Sequence, residues 1–146
     1  MNIKMTPAKE VLLSVEEQRS QVGRLRRSVK SLQTRCGTVV SAWGTASPDR
    51  SKGPEELLTL LADQKELLAA EERHLQELEA KIDGWIGLLP VPRWRMVLRS
   101  HYLDGLEFGE IAEELTRSTG RRFTMNQIYR FHRLALGAAD ELWPLS

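Results

Sequence analysis

Leu61, Leu68, Leu75, Ile82 and Leu89 follow one another at seven-residue intervals without a break. An apolar repeat of seven sustained over that distance is the signature of a helix that packs lengthwise on another helix. The companion position, Leu57, Gln64, Glu71, Leu78 and Trp85, is apolar at its ends and polar in its middle. A helix over about 55–89 would be roughly 52 Å long at 1.5 Å per residue. Standing alone it would leave its stripe in water, so the pattern demands a partner helix.

The segment 8–36 supplies one. Leu12, Val15, Val22, Leu25, Val29, Leu32 and Cys36 form a single stripe at helical spacing, broken once around Arg19. Thr6 and Pro7 suit an N-cap and first helical position, and Gly37 suits a stop. Residues 37–54 read as a loop punctuated by Gly37, Gly44, Pro48, Gly53 and Pro54, with Val39, Val40 and Trp43 placed to pack at a hairpin tip. Charge favours the pairing. Residues 1–36 carry a net +5 and residues 37–89 a net −5, a division hidden in the whole-chain value of +1. Arg24, Arg26, Arg27, Lys30 and Arg35 are therefore expected to face acidic residues of the second helix rather than nucleic acid. The pattern is met equally by a hairpin within one chain and by exchange of helices in a homodimer.

Pro90 and Pro92 end this region, so the expected division is a helical hairpin over 1–89 and a compact unit over 90–146. No apolar run approaches membrane-spanning length and the N-terminus has no signal-peptide core, which points to a cytoplasmic protein without a membrane partner. The one cysteine, Cys36, makes neither an internal disulfide nor a metal site. His74, His101 and His132 have no ligand-like spacing, and no catalytic set, phosphate loop or metal motif is present. The expectation is a non-enzyme with no cofactor.

Three short helices fit the C-terminal unit. The first, about 93–103, turns Trp94, Val97, Leu98 and Tyr102 inward and stops at Asp104-Gly105. The second, about 108–116, turns Ile111, Ala112 and Leu115 inward. The third follows a Thr124-x-x-Gln127 capping box and carries Ile128, Phe131, Ala135, Leu136, Ala139 and Leu142 on its inner stripe. This leaves Met125, Asn126, Gln127, Tyr129, Arg130 and Arg133 outside, near the start of that helix. A recognition helix presents such residues to base edges in the major groove, where amides pair with adenine and arginines with guanine or phosphate. Arg121 and Arg122, in the preceding turn, are placed to contact the phosphate backbone. Trp85, Trp94 and Trp143 are expected to join the hairpin base to these helices.

The run Tyr102-Leu103-Asp104-Gly105-Leu106-x-x-x-Glu110-Ile111-Ala112-x-x-Leu115 resembles the start of a sigma factor region 4 helix-turn-helix. Thr124-x-x-x-Ile128-x-x-Phe131-x-x-x-Ala135-Leu136 resembles its recognition helix. With the long helical hairpin before it, the chain resembles small phage-associated proteins similar to the ArpU-type phage transcription regulators of Gram-positive hosts. The resemblance implies an all-α, sequence-specific regulator of phage genes in a bacterial cell, acting on double-stranded DNA through 124–139, with RNA polymerase as a further partner. Two departures stand out: an insert, Thr116–Phe123, between the helices, and Glu107 where a capping Ser or Thr is usual. A DNA-packaging recognition subunit, resembling a small terminase, and an interaction module that binds RNA polymerase without DNA share the same features and remain as alternatives.

Overall fold

The computed structural model describes the backbone of residues 6–42 and 52–144, with side chains over 6–37 and 55–144. The fold is all-α, with no strand among the described residues. Its elements are α1 (Pro7–Ala42), α2 (Lys52–Ile86), α3 (Pro92–Leu98), which continues into a π turn (Arg99–Leu103), α4 (Phe108–Thr119) and α5 (Met125–Leu142). Among the described residues no helix is long and apolar enough to cross a membrane.

The first two helices are longer than expected at the loop they flank. α1 passes through Gly37 and ends at Ala42. Gly37 does not adopt the left-handed conformation of a helix stop, which only Gly105 and Gly120 do among the described residues. α2 begins at Lys52 and contains Pro54, which is tolerated because the first-turn amides of a helix have no intrahelical acceptor. It ends at Ile86, three residues before the expected Leu89. There the amides of Leu88 and Leu89 bond tightly back to Trp85 and Ile86, each at 3.0 Å. The packing expected of Val39, Val40 and Trp43 lies outside the described side chains, as does the middle of the expected loop.

The chain divides into two compact units, one of residues 18–76 and one of the residues up to 17 and from 77 onward. In the first, Val22, Val29, Leu32 and Cys36 of α1 and Leu75 of α2 are buried. The Gln18 side-chain amide donates to the Glu71 carbonyl at 3.2 Å and also to its carboxylate, and Arg26 Nη2 lies 3.0 Å from Glu72 Oε2. That ion pair is exposed and contributes little to stability. The repeat positions Leu61 and Leu68 are half-buried, and Leu58, Leu60 and Leu67 are exposed.

The second unit joins the first turns of α1 and the last turns of α2 to everything after Pro90. The division therefore does not fall at Pro90, where the two prolines suggested it. Long-range contacts explain this. The amide of Ala8 donates to Asp140 Oδ1 at 2.9 Å, Arg99 Nε meets Asp83 Oδ1 at 2.6 Å, and the Trp85 and Trp143 rings lie 5.8 Å apart. Arg95 Nη1 donates to the Leu89 carbonyl at 2.6 Å, so a side chain of α3 satisfies a carbonyl in the turn that follows α2. Val97, Ile111, Ala112, Leu115, Phe123 and Ile128 form a core shared by α3, α4, the turn after it and α5. The inner faces expected for the first two short helices are buried, except that Trp94 is half-buried. In α5, Ile128, Ala135 and Ala139 are buried, but Leu142 is 48% exposed and Trp143 takes the inward place. The backbone leaves helical geometry at Trp143, which redirects the last side chains.

Candidate nucleic-acid interface

The residues expected to meet DNA depend on how the chain passes from α4 to α5. α4 runs a further turn past Thr116 and stops at Gly120, whose φ of 74° is left-handed and suits glycine. The insert thus lengthens the helix and also enlarges the turn. Thr116 holds the result in place. Its hydroxyl donates to the Ala112 carbonyl at 2.8 Å and accepts the Phe123 amide at 2.9 Å. Phe123 is buried in the shared core, and the Arg93 guanidinium lies over its ring at 4.9 Å. One hydroxyl therefore ties the end of the turn to the body of α4.

Thr124 then starts α5 as expected. Its side chain accepts from the Gln127 amide at 3.3 Å, and Gln127 Oε1 accepts from the Thr124 amide at 2.8 Å. At the start of α4, Glu110 Oε1 accepts from the Glu107 amide at 3.4 Å, so Glu107 takes part in a reciprocal cap of the same kind. Two carboxylates at that helix start suit its dipole and disfavour a phosphate there.

Met125, Asn126, Gln127, Tyr129, Arg130 and Arg133 are all exposed, as are Arg121 and Arg122. They do not form one surface. Asn126, Arg130 and Arg133 follow at i, i+4 and i+7 and share a polar face. Met125 and Tyr129 belong to a neighbouring face turned toward α4: the Met125 sulfur lies near Gly109, and the Tyr129 ring is 4.8 Å from Phe108. Gln127 has its carbonyl oxygen engaged in the cap, so two-point pairing with adenine would require that cap to open. An open concavity between α4 and α5 is lined by Arg117, Arg122, Glu113 and Met125. Arg117 was missed because α4 was expected to end one residue earlier. Among the described residues, none of Arg117, Arg121, Arg122, Arg130 and Arg133 enters an ion pair.

Behind this surface lies a cluster the sequence did not announce. Tyr102 donates its hydroxyl to His132 Nε2 at 2.6 Å, and His101 stacks on Phe108 at 4.2 Å. His101 Nδ1 is 2.8 Å from the Leu106 carbonyl, and its Nε2 is 3.8 Å from Glu16 of α1. Burial, with help from His101 and Lys9, pushes His132 down to about 4, so it is neutral and, with its one ring proton on Nδ1, accepts the phenol hydrogen bond at Nε2. Burial, reinforced by Glu16, pushes Tyr102 up, which keeps it a donor. The two histidines pack among the aromatic rings of the unit.

Comparison with protein-family models, with curated proteins and with solved structures returns no match.

Proposed function

We propose that α4, the turn and α5 form a helix-turn-helix that reads double-stranded DNA, and that the protein is a transcription regulator of the phage type its sequence resembles. The observation that carries this reading is the division of α5. Ile128, Ala135 and Ala139 anchor it in the unit, while Asn126, Arg130 and Arg133 project from the opposite side, and Arg121 and Arg122 are exposed in the turn before it. Arg117, Arg121, Arg122, Arg130 and Arg133, exposed and without an ion pair among the described residues, suit a phosphate-lined surface, and the α5 face supplies groups able to distinguish base edges. Selection from random duplex DNA, run in parallel with wild type and Arg130→Ala, tests the reading. Enrichment of a motif by wild type, with preference relaxed at one base pair in the variant and about 1–3 kcal/mol lost, is the expected result. No enrichment and no retention of duplex at low salt overturns it.

A second reading has its own support. Met125 and Tyr129, one turn apart on α5, are each more than two-fifths exposed, which gives the same helix an apolar side suited to protein. RNA polymerase is then the partner, engaged alone or together with DNA. Capture of purified polymerase by the protein in the absence of DNA, lost in Tyr129→Ala and kept in Arg130→Ala, is the result that would favour it.

A further inference from the structure

The seven-residue repeat of α2 is wider than one partner helix can cover. Leu60 and Leu67 each immediately precede a seam position, Leu61 and Leu68, so they add a flank to the stripe. Both are 43% exposed, and the seam positions beside them are themselves half-buried. An apolar face of this breadth is what a helix shows when it has two helical neighbours, as in a four-helix bundle, rather than one.

Charge identifies the missing neighbour. Residues 18–37 of α1 hold six Lys or Arg and no Asp or Glu. Residues 55–76 of α2 hold six Asp or Glu and two Lys or Arg. Within the unit this surplus is little used: Arg26 pairs with Glu72, whereas Arg24, Arg27, Lys30 and Arg35 have no ion pair among the described residues. The flank of α2 that bears Leu60 and Leu67 is bordered by Glu56 and Asp63, which line an open groove with Leu60. At helical spacing, Arg24 and Arg35 sit on the corresponding flank of the α1 stripe, the side away from Arg26. The unit therefore carries a basic helix edge and an acidic, leucine-bearing helix edge that fit each other on different molecules.

We propose that a second copy of this chain docks on the Leu60 and Leu67 face of α2, its α1 lying along that face so that α1 and α2 of the two copies alternate around one core. A two-fold pair of this kind places each basic helix between two acidic ones and makes the same contact twice. It uses residues 18–76 alone and does not depend on the DNA reading.

Sedimentation of the full chain tests it. From about 1 to about 200 µM the wild type should shift to a particle of twice 16.7 kDa. Leu60→Glu with Leu67→Glu should abolish the shift without loss of helicity by circular dichroism. Two charge variants then test the arrangement: Arg24→Glu with Arg35→Glu, and Glu56→Lys with Asp63→Lys. Each alone should be monomeric, and their mixture should recover the dimer, because every crossed contact becomes complementary again. A wild type that stays monomeric throughout, or a dimer indifferent to the leucine substitutions, overturns the proposal. A mixture of the charge variants that remains monomeric overturns the alternating arrangement.

Discussion

The backbone amide of Ala8, in the first turn of α1, donates to the carboxylate of Asp140, in the last turns of α5, at 2.9 Å. The residues are 132 positions apart, and the bond gives one of the free N-terminal amides of α1 an acceptor from the far end of the chain. Thr6 Oγ1 accepts the Lys9 amide at the longer distance of 3.4 Å, so the local cap is the weaker of the two. A negative charge at a helix start also suits the helix dipole.

Asp140→Ala should therefore destabilise the unit by about 1–2 kcal/mol, the cost of losing a helix cap. Asp140→Asn should recover most of the hydrogen bond and lose the charge interaction. Urea unfolding of the three proteins checks the order. Equal stability of Asp140→Ala and wild type would show that Thr6 caps α1 unaided.

The Thr116 hydroxyl makes a sharper prediction. Thr116→Val keeps the shape and removes the acceptor for the Phe123 amide, beside a buried ring. An unsatisfied buried amide costs about 1–3 kcal/mol. Hydrogen exchange at Phe123 should accelerate more than exchange at Ile111 in the same helix pair, because the damage is local to the turn. Thr116→Ser should behave as wild type.

What was legible in the sequence was whatever depends on local periodicity. Ile111, Ala112 and Leu115 are one face of one helix, and Thr124 and Gln127 are a cap within one turn; both are found where the spacing placed them. The stop assigned to Gly37 failed because glycine ends a helix only where the backbone turns left-handed, and Gly37 does not. The division at Pro90 failed for a different reason. Proline marks a break in a helix, whereas the unit is defined by contacts such as Ala8 with Asp140 and Glu16 with His101, which no local pattern encodes. The candidate site was half-legible. The exposed arginines follow from the stripe they leave behind, but the engagement of the Gln127 carbonyl and the lean of Tyr129 on Phe108 depend on three-dimensional neighbours.

His132 couples stability to pH. Its ordinary value is 6.5 and it is held at about 4 in the fold, so between these values the unfolded chain binds the extra proton. Its contribution is complete above pH 6.5, declines as pH falls toward 4 and does not change further below that. With the partial exposure of the ring discounted, the loss is on the order of 1–2 kcal/mol. Thermal unfolding from pH 7.5 to 5 should show this decline in wild type and a flatter profile in His132→Phe. A parallel decline in both proteins would assign the effect to other groups.

Gln127 separates folding from the proposed recognition on α5. Its carbonyl oxygen accepts the Thr124 amide at 2.8 Å, a task that a glutamate at the same position performs equally well. Gln127→Glu should therefore leave the unfolding midpoint unchanged or slightly raised, since a carboxylate near the start of α5 suits its dipole. The same substitution sets a negative charge beside Asn126 and Arg130, where the proposed DNA surface lies, and should weaken duplex binding on all sequences by at least tenfold. Gln127→Ala should do the reverse, costing about 1 kcal/mol of stability through the cap while changing affinity less. Paired unfolding and binding measurements on the two variants distinguish a capping residue at the edge of the interface from one that reads a base. If Gln127→Ala instead relaxes preference at a single base pair, the cap opens on binding and the glutamine is itself a reader.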